Sequence, residues 1–163
     1  MDNIDTNEAS FTTASEHHDY TLKLIQDAHK KIYVYCHDLT PRIYNHPDIA
    51  DALAQFIITN SASRTVKILV HDINHIVSCD HKILDSYRKL TSNFSIHKMS
   101  QQHIHHTESF IITDDKSTLF RNDYSRFEGY PVNDPLQTKE LLNLFNECWS
   151  HSQTDTNLNR VYL

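Results

Sequence analysis

Amphipathic helical patterns alternate with short apolar runs through the first hundred residues of the chain. Apolar residues at helical spacing predict three helices, at residues 13 to about 30, 47 to about 61 and 76 to about 90. The runs that follow them predict strands at residues 32–36, 65–70 and 94–96. Regular alternation of helices and strands is typical of α/β proteins whose sheet is mainly parallel.

The second half of the chain departs from this alternation. Two apolar runs, residues 109–113 and 117–120, flank Asp114-Asp115-Lys116, which is a turn sequence and predicts a β-hairpin. A last helix is predicted to begin at Asp134 and Pro135, a capping residue and a first-turn proline. We therefore predict an α/β fold with a mixed, mainly parallel sheet flanked by helices and with a hairpin near residues 109–120.

The length of 163 residues fits a single domain. We expect this domain at residues 13–150, between a flexible segment at residues 1–12 and a polar tail at residues 151–163. No apolar run approaches the roughly 20 residues of a membrane helix, and the acidic start of the chain does not look like a secretory signal. The predicted location is the cytoplasm.

Charge and glycine content exclude several function classes. Lys and Arg total 15 against 21 Asp and Glu, for a net charge of −6, so nucleic acid is not an expected partner. Gly129 is the only glycine, which excludes the glycine-rich loops that bind dinucleotides and phosphates. We expect no cofactor. The three cysteines lack paired spacing, which indicates reduced thiols.

The best positional evidence for a binding site is at the ends of two predicted parallel strands. His37-Asp38 and His71-Asp72 follow these strands, and ligands of open α/β sheets collect outside such carboxyl ends. Arg42 and Tyr44, in the loop after the first strand, could contact a phosphate or carboxylate. The predicted ligand-binding residues are Asp38, Arg42, Tyr44, Asp72, Glu108, Arg121 and Arg126.

Each of these residues also has a purely structural interpretation. Asp38 could cap its loop, and Arg42 could pair with a nearby carboxylate. Glu108 and Arg121 lie on or beside the predicted hairpin, where a buried ion pair would stabilise the turn without any ligand. The loop that contains Arg126 could equally close over the sheet edge as a lid.

Histidines cluster just before the hairpin. If residues 103–108 are extended, His103 and His105 share one face, and these two are the candidate metal ligands. The chain contains 13 histidines, so clustering by chance is the alternative.

Several blocks resemble the phospholipase D superfamily. They are Asp38-Leu39 with residues 41–44, residues 108–115, Arg121, residues 126–129, and Phe145 with Trp149. The resemblance covers residues 13–150 and implies a single lobe of that superfamily. Within it, the chain is similar to small, uncharacterised bacterial domains that occur alone or joined to GNAT-type acetyltransferases.

Active members of the superfamily carry a His-x-Lys motif followed by four residues and Asp, in which the histidine attacks phosphorus. Alignment of Asp114 with the motif aspartate places Thr107 and Ser109 at the histidine and lysine positions. Alignment of Asp115 places Glu108 and Phe110 there instead. The resemblance therefore implies a degenerate site, in which His105, His106 and Asp114 are the remaining candidates for catalysis.

These observations lead to two functional hypotheses. The first is a non-catalytic phospholipase D-like binding or regulatory module, an accessory to an acetyltransferase on a separate chain. The alternative is a metal- or histidine-dependent phosphoesterase or other hydrolase, with a composite site formed by a homodimer. Loss of the motif favours the non-enzymatic hypothesis.

Overall fold

A computed structural model describes residues 10–59, 63–90 and 93–159. The strands are β1 Lys31–Cys36, β2 Thr65–Val70, β3 Phe94–Lys98, β4 Ser109–Thr113, β5 Ser117–Arg121 and β6 Tyr130–Val132. The helices are α1 Ala14–Asp27, α2 Pro41–Tyr44, α3 Pro47–Thr59, α4 Ile73–Ser78, α5 Lys82–Lys89 and α6 Pro135–Ser150.

The six strands form one mixed sheet in the order β3-β2-β1-β4-β5-β6. β1 pairs in parallel with β2 and β2 with β3, whereas β4, β5 and β6 each pair antiparallel with the strand before them in the sheet. β1, β2, β3 and β5 therefore point in one direction. The predicted α/β class, the mixed sheet with flanking helices and the hairpin are confirmed.

Apolar residues cover both faces of the central strands. Alternate residues of β1, Ile32 and Val34, pack in the cluster that also contains Ile25 of α1 and Leu53 of α3. The intervening residues Tyr33 and Tyr35 pack with α6 in a second cluster. Because successive side chains of a strand point to opposite faces, an uninterrupted apolar run such as β1 requires a helix layer on each side.

The third predicted helix is two helices, α4 and α5. Between them, Asp80 adopts a positive φ of 50°, and His81 caps α5 by accepting a hydrogen bond from the Ile83 N–H. The other ring nitrogen of His81 lies 2.9 Å from the Leu39 carbonyl, which joins this break to the loop after β1. Apolar spacing missed the break because Ile76 of α4 and Ile83 of α5 are buried in the same cluster.

Residues from both predicted terminal segments belong to the packed structure. Phe11 is buried and exchanges two backbone hydrogen bonds with Gly129. At the other end, Gln153 pairs with Lys98 and Leu158 is buried. A Cβ atom on Gly129 would lie 2.5 Å from the Phe120 carbonyl oxygen, so this close approach requires glycine. In the described part of the chain no helix is long and apolar enough to cross a membrane.

Asp114 anchors the hairpin turn to the start of β1. Its carboxylate accepts hydrogen bonds from three consecutive backbone N–H groups, those of His29 at 2.9 Å, Lys30 at 2.6 Å and Lys31 at 3.0 Å. Burial opposes ionisation of this carboxyl group, but the three donors outweigh it, and the pKa of Asp114 is lowered. Because this turn lies at the edge of the sheet opposite the carboxyl end of β1, Asp114 has a structural environment rather than the catalytic one proposed from the motif.

We expect Asp114→Asn to lower the free energy of unfolding by about 1–2 kcal/mol, because a neutral amide accepts hydrogen bonds from the N–H groups less strongly than a carboxylate. Asp115→Asn is the matched control, since Asp115 has the same φ of 56° but makes only an exposed pair with Lys31. Urea denaturation of both variants measures the difference. Because the pKa of Asp114 is lowered on folding, the difference from wild type should shrink as the pH falls below about 4. Equal losses of unfolding free energy in the two variants would contradict the structural role of the Asp114 carboxylate.

Candidate functional site

Two histidines meet where β1 and β2 end. Cys36 pairs with Val70 in the parallel register, so the next residues, His37 and His71, lie side by side. Their Nδ1 atoms are 3.4 Å apart, and the His37 carbonyl accepts hydrogen bonds from the backbone N–H groups of His71 and Asp72. The carboxyl ends of these two strands thus bring polar side chains together, and the side chains in contact are those of His37 and His71.

Three more imidazoles approach from the segment before β4. The His106 ring stacks on His105 at a centroid distance of 4.8 Å and lies 5.9 Å from His103. We call the group formed by His37, His71, His103, His105 and His106 the histidine edge. Exposure differs within it: His71 and His103 are buried, His37 and His106 half-buried, and His105 exposed.

Aromatic side chains support the histidine edge from two sides. Tyr124, in the loop after β5, stacks on His37 with ring centroids 4.1 Å apart and planes 7° apart. Tyr35, fully buried in β1, has its ring edge to face with His71 and with His106, each at 6.4 Å. Tyr124 was not among the predicted site residues, because only the fold of the β5–β6 loop places it against His37.

Electrostatics keep the buried imidazoles neutral. Burial, and then the neighbouring imidazoles beginning with His37 and His106, lower the pKa of His71 to about 4. Burial also lowers the pKa of His103, with His106 contributing. Glu108 supplies the opposite charge, because its Oε2 lies 3.6 Å from His106 Nδ1. Among the described residues, Glu108 Oε2 and His71 Nε2 are buried without a hydrogen-bond partner.

Arg121 is buried at the end of β5, with 1% of its surface exposed. Its guanidinium donates hydrogen bonds to the Thr40 hydroxyl at 2.9 Å, the Ser109 hydroxyl at 3.1 Å and the Arg126 carbonyl at 3.0 Å. The ion pair between Glu108 and Arg121, considered above as an alternative, is not formed: the register sets Ser109 opposite Arg121, and Glu108, one residue away, points to the other face of the sheet. Arg121 is therefore an internal cross-link.

The other predicted ligand-binding residues do not converge on one point. Asp38 Oδ2 lies 3.7 Å from His75 Nε2, and Asp72 caps α4 by accepting from the His75 N–H. The Arg42 guanidinium lies 5.0 Å above the ring of Phe127, so its observed contact is a cation–π interaction rather than the ion pair considered above.

Tyr44 and Arg126 were also predicted to bind a ligand. Tyr44 is buried in the core cluster, and burial raises the pKa of its hydroxyl. Arg126 has an exposed side chain, while its carbonyl accepts from Arg121.

The candidate metal ligands do not share an extended face. His103 ends a 3-10 turn and is buried, whereas His105 lies beyond it and is exposed. Among the described residues, these two are not part of any group of three potential metal ligands.

The positions aligned with the catalytic motif hold hydroxyl groups that already have partners. Thr107 Oγ1 donates to the Asn122 carbonyl at 3.1 Å. Ser109 Oγ is buried and accepts from Arg121. Neither hydroxyl has an imidazole among its hydrogen-bond partners in the described structure, so neither resembles an activated nucleophile.

Comparison with known proteins adds a family and a fold. The model of a family described as Domain of unknown function (DUF7931) matches residues 13–161. No curated protein matches the sequence. The structure of TrmBL2, an archaeal chromatin protein described with a novel mode of DNA binding, superposes with a TM-score of 0.66 and 14% identity. The match covers 90% of this chain and 53% of TrmBL2, so the chain spans about half of that protein.

NucT from Helicobacter pylori is also similar, with a TM-score of 0.60, 14% identity and coverage of 90% of this chain and 98% of NucT. This likeness supports the phospholipase D-like fold that the sequence motifs implied. The homodimer, the acetyltransferase partner and the cytoplasmic location stay predictions.

One expectation about partners needs correction. We predicted from the net charge that nucleic acid is not a partner, and this prediction is wrong, because the fold is shared with a chromatin protein that binds DNA. Net charge is a sum over the whole surface, whereas phosphate contacts depend on where individual cations lie.

We expect acid to destabilise the protein through His71. The unfolded chain binds a proton near pH 6.5, but folded His71 does so only near pH 4, so stability is fully present above about pH 6.5 and is lost as the pH falls toward 4. Across this pH range, the free energy of unfolding of His71→Gln should fall by roughly 2–3 kcal/mol less than that of the wild-type protein. Urea denaturation at several pH values measures the slope. His105→Gln, which removes an exposed imidazole, is the control; identical slopes in wild type and His71→Gln would refute the prediction.

Proposed function

The chain belongs to the DUF7931 family, and on that premise we propose that it is a non-catalytic phospholipase D-like module that binds single-stranded nucleic acid at the histidine edge. The observation that supports this proposal is the stacked pair of His37 and Tyr124. This pair lies at the carboxyl ends of β1 and β2, among the other four imidazoles of the histidine edge. Aromatic rings at such an edge are platforms on which bases stack.

We propose a non-catalytic role because of the residues at the two positions aligned with the motif histidine and lysine. Phosphodiester cleavage by this superfamily requires an imidazole nucleophile and an ammonium group beside it. Thr107 and Ser109 hold these positions, and Ser109 is bonded to the buried Arg121. The guanidinium provides a positive charge close to the site, but it is buried and its donors are largely satisfied from within the protein.

Charge opposes this binding. The overall charge is −6, and the pKa values of the two buried imidazoles, His71 and His103, are lowered. Base stacking, rather than contact with phosphates, therefore has to provide the affinity. Binding should be weak and should depend little on salt.

Fluorescence anisotropy with a labelled single strand of about 20 nucleotides tests this proposal. We expect weak but saturable binding at neutral pH. Tyr124→Ala should weaken binding about 5- to 100-fold through loss of stacking, whereas Tyr124→Phe should retain it. Tyr130→Ala is the matched control, because Tyr130 is an exposed tyrosine on β6, away from His37. Undetectable binding, or equal losses in the two alanine variants, would reject the proposal.

A histidine-dependent hydrolase is the competing function, and one contact favours it. Glu108 Oε2 lies 3.6 Å from His106 Nδ1, which is too long for a hydrogen bond, but a carboxylate at this position could orient the imidazole as nucleophile or general base if the two groups moved closer. His106 also lies one residue from the motif position. We expect the purified protein to leave a generic phosphodiester, bis(p-nitrophenyl) phosphate, uncleaved. Turnover that disappears in His106→Ala would establish the competing function instead.

A further inference from the structure

Three potential metal ligands meet on the helical side of the domain, outside the histidine edge. His18 lies on α1, His46 in the loop before α3, and Asp48 in the first turn of α3. One ligand atom from each lies within 4.8 Å of the other two, and this is the one such group of three found in the described part of the chain. Sequence spacing did not indicate it, because His18 and Asp48 are 30 residues apart.

Groups around the two histidines fix which nitrogen is free. His46 Nε2 lies 2.9 Å from the Arg42 carbonyl, which can only accept, so Nε2 carries the proton and Nδ1 has the available lone pair. His18 Nδ1 lies 3.1 Å from Asp19 Oδ1, which leaves Nε2 as its ligand atom. A carboxylate or carbonyl behind each imidazole is the usual outer shell of a protein metal site.

A hydrogen bond now spans the position that an ion would take. His18 Nε2 lies 2.9 Å from Asp48 Oδ1, so both nitrogens of His18 face carboxylates. The His18 ring is thus flanked by Asp48 on one side and by Asp19 on the other.

Access and geometry are compatible with an ion. His18 and His46 line a cavity of about 420 Å³ together with Ala14, Ser15, Pro41 and Arg42. The Arg42 guanidinium lies over Phe127. Tetrahedral zinc needs ligand atoms about 3.4 Å apart. The three ligand atoms lie within 4.8 Å of one another, and the Asp48 carboxylate is exposed and the His46 ring half-buried, so both side chains have room to adjust toward that spacing.

We propose that His18, His46 and Asp48 bind one divalent transition-metal ion of the zinc class, with Asp19 and the Arg42 carbonyl as outer-shell partners. Two imidazoles and one carboxylate are a donor set that suits zinc. On binding, the ion takes the place of the hydrogen bond between His18 Nε2 and Asp48 Oδ1. The bound ion joins α1 to the first turn of α3.

Isothermal titration of the full-length, untagged protein with zinc chloride tests the site. We expect one equivalent of zinc to bind. His46→Ala and Asp48→Asn should each lower the affinity at least about tenfold, and Asp19→Asn by about 10- to 100-fold. His29→Ala, which removes an exposed histidine elsewhere, should leave the affinity unchanged.

The histidine edge is the competing location for an ion. His105→Ala combined with His106→Ala should leave zinc binding intact, and the absorption spectrum of bound cobalt should change in Asp48→Asn but not in this double variant. Circular dichroism of the metal-free variants checks that they fold as wild type. No zinc binding below about 1 mM, or binding that survives His46→Ala and Asp48→Asn but is lost in the double variant, overturns the proposal. Either result leaves the nucleic-acid proposal to its own test.

Discussion

The buried guanidinium of Arg121 fixes the edge of the sheet at which the candidate site lies. Burial of a charge is costly unless hydrogen bonds replace its hydration. Arg121 obtains three of them, from the loop after β1, the first residue of β4 and the loop after β5, while its Nε has no partner among the described residues. No carboxylate of the described residues forms an ion pair with it. Three chain segments that are distant in sequence are therefore held together by one side chain.

This cross-link explains how the fold can be retained while the catalytic motif is absent. Ser109, at the position aligned with the motif lysine, serves as a hydrogen-bond partner of Arg121. The hydroxyl of Thr107 is bonded to the loop that follows β5. The side chains at both aligned positions therefore hold chain segments together at this edge of the sheet.

Much of the secondary structure could be predicted from the chain because it depends on local patterns. Thr13 caps α1 by accepting the Glu16 N–H, Pro47 suits the first turn of α3 because it has no N–H to satisfy, and Asp114 and Asp115 adopt the positive φ of a tight turn. Each of these signals is local, so the sequence is sufficient to show it. The break between α4 and α5 and the short strand β6 were not predicted. Both depend on distant partners: His81 bonds the Leu39 carbonyl, and β6 exists only through its pairing with β5.

The sequence by itself determined the α/β class, the hairpin and the loss of the motif, because periodicity, turn residues and missing side-chain chemistry are properties of the chain as written. It also placed His37-Asp38 and His71-Asp72 at the carboxyl ends of neighbouring strands, but it selected the aspartates rather than the histidines as site residues. Only the tertiary structure decided that Arg121 binds hydroxyls rather than Glu108, that Tyr124 stacks on His37, and that His18 reaches Asp48. Those outcomes depend on strand register and on which helices pack together, and neither is encoded by the spacing of nearby residues.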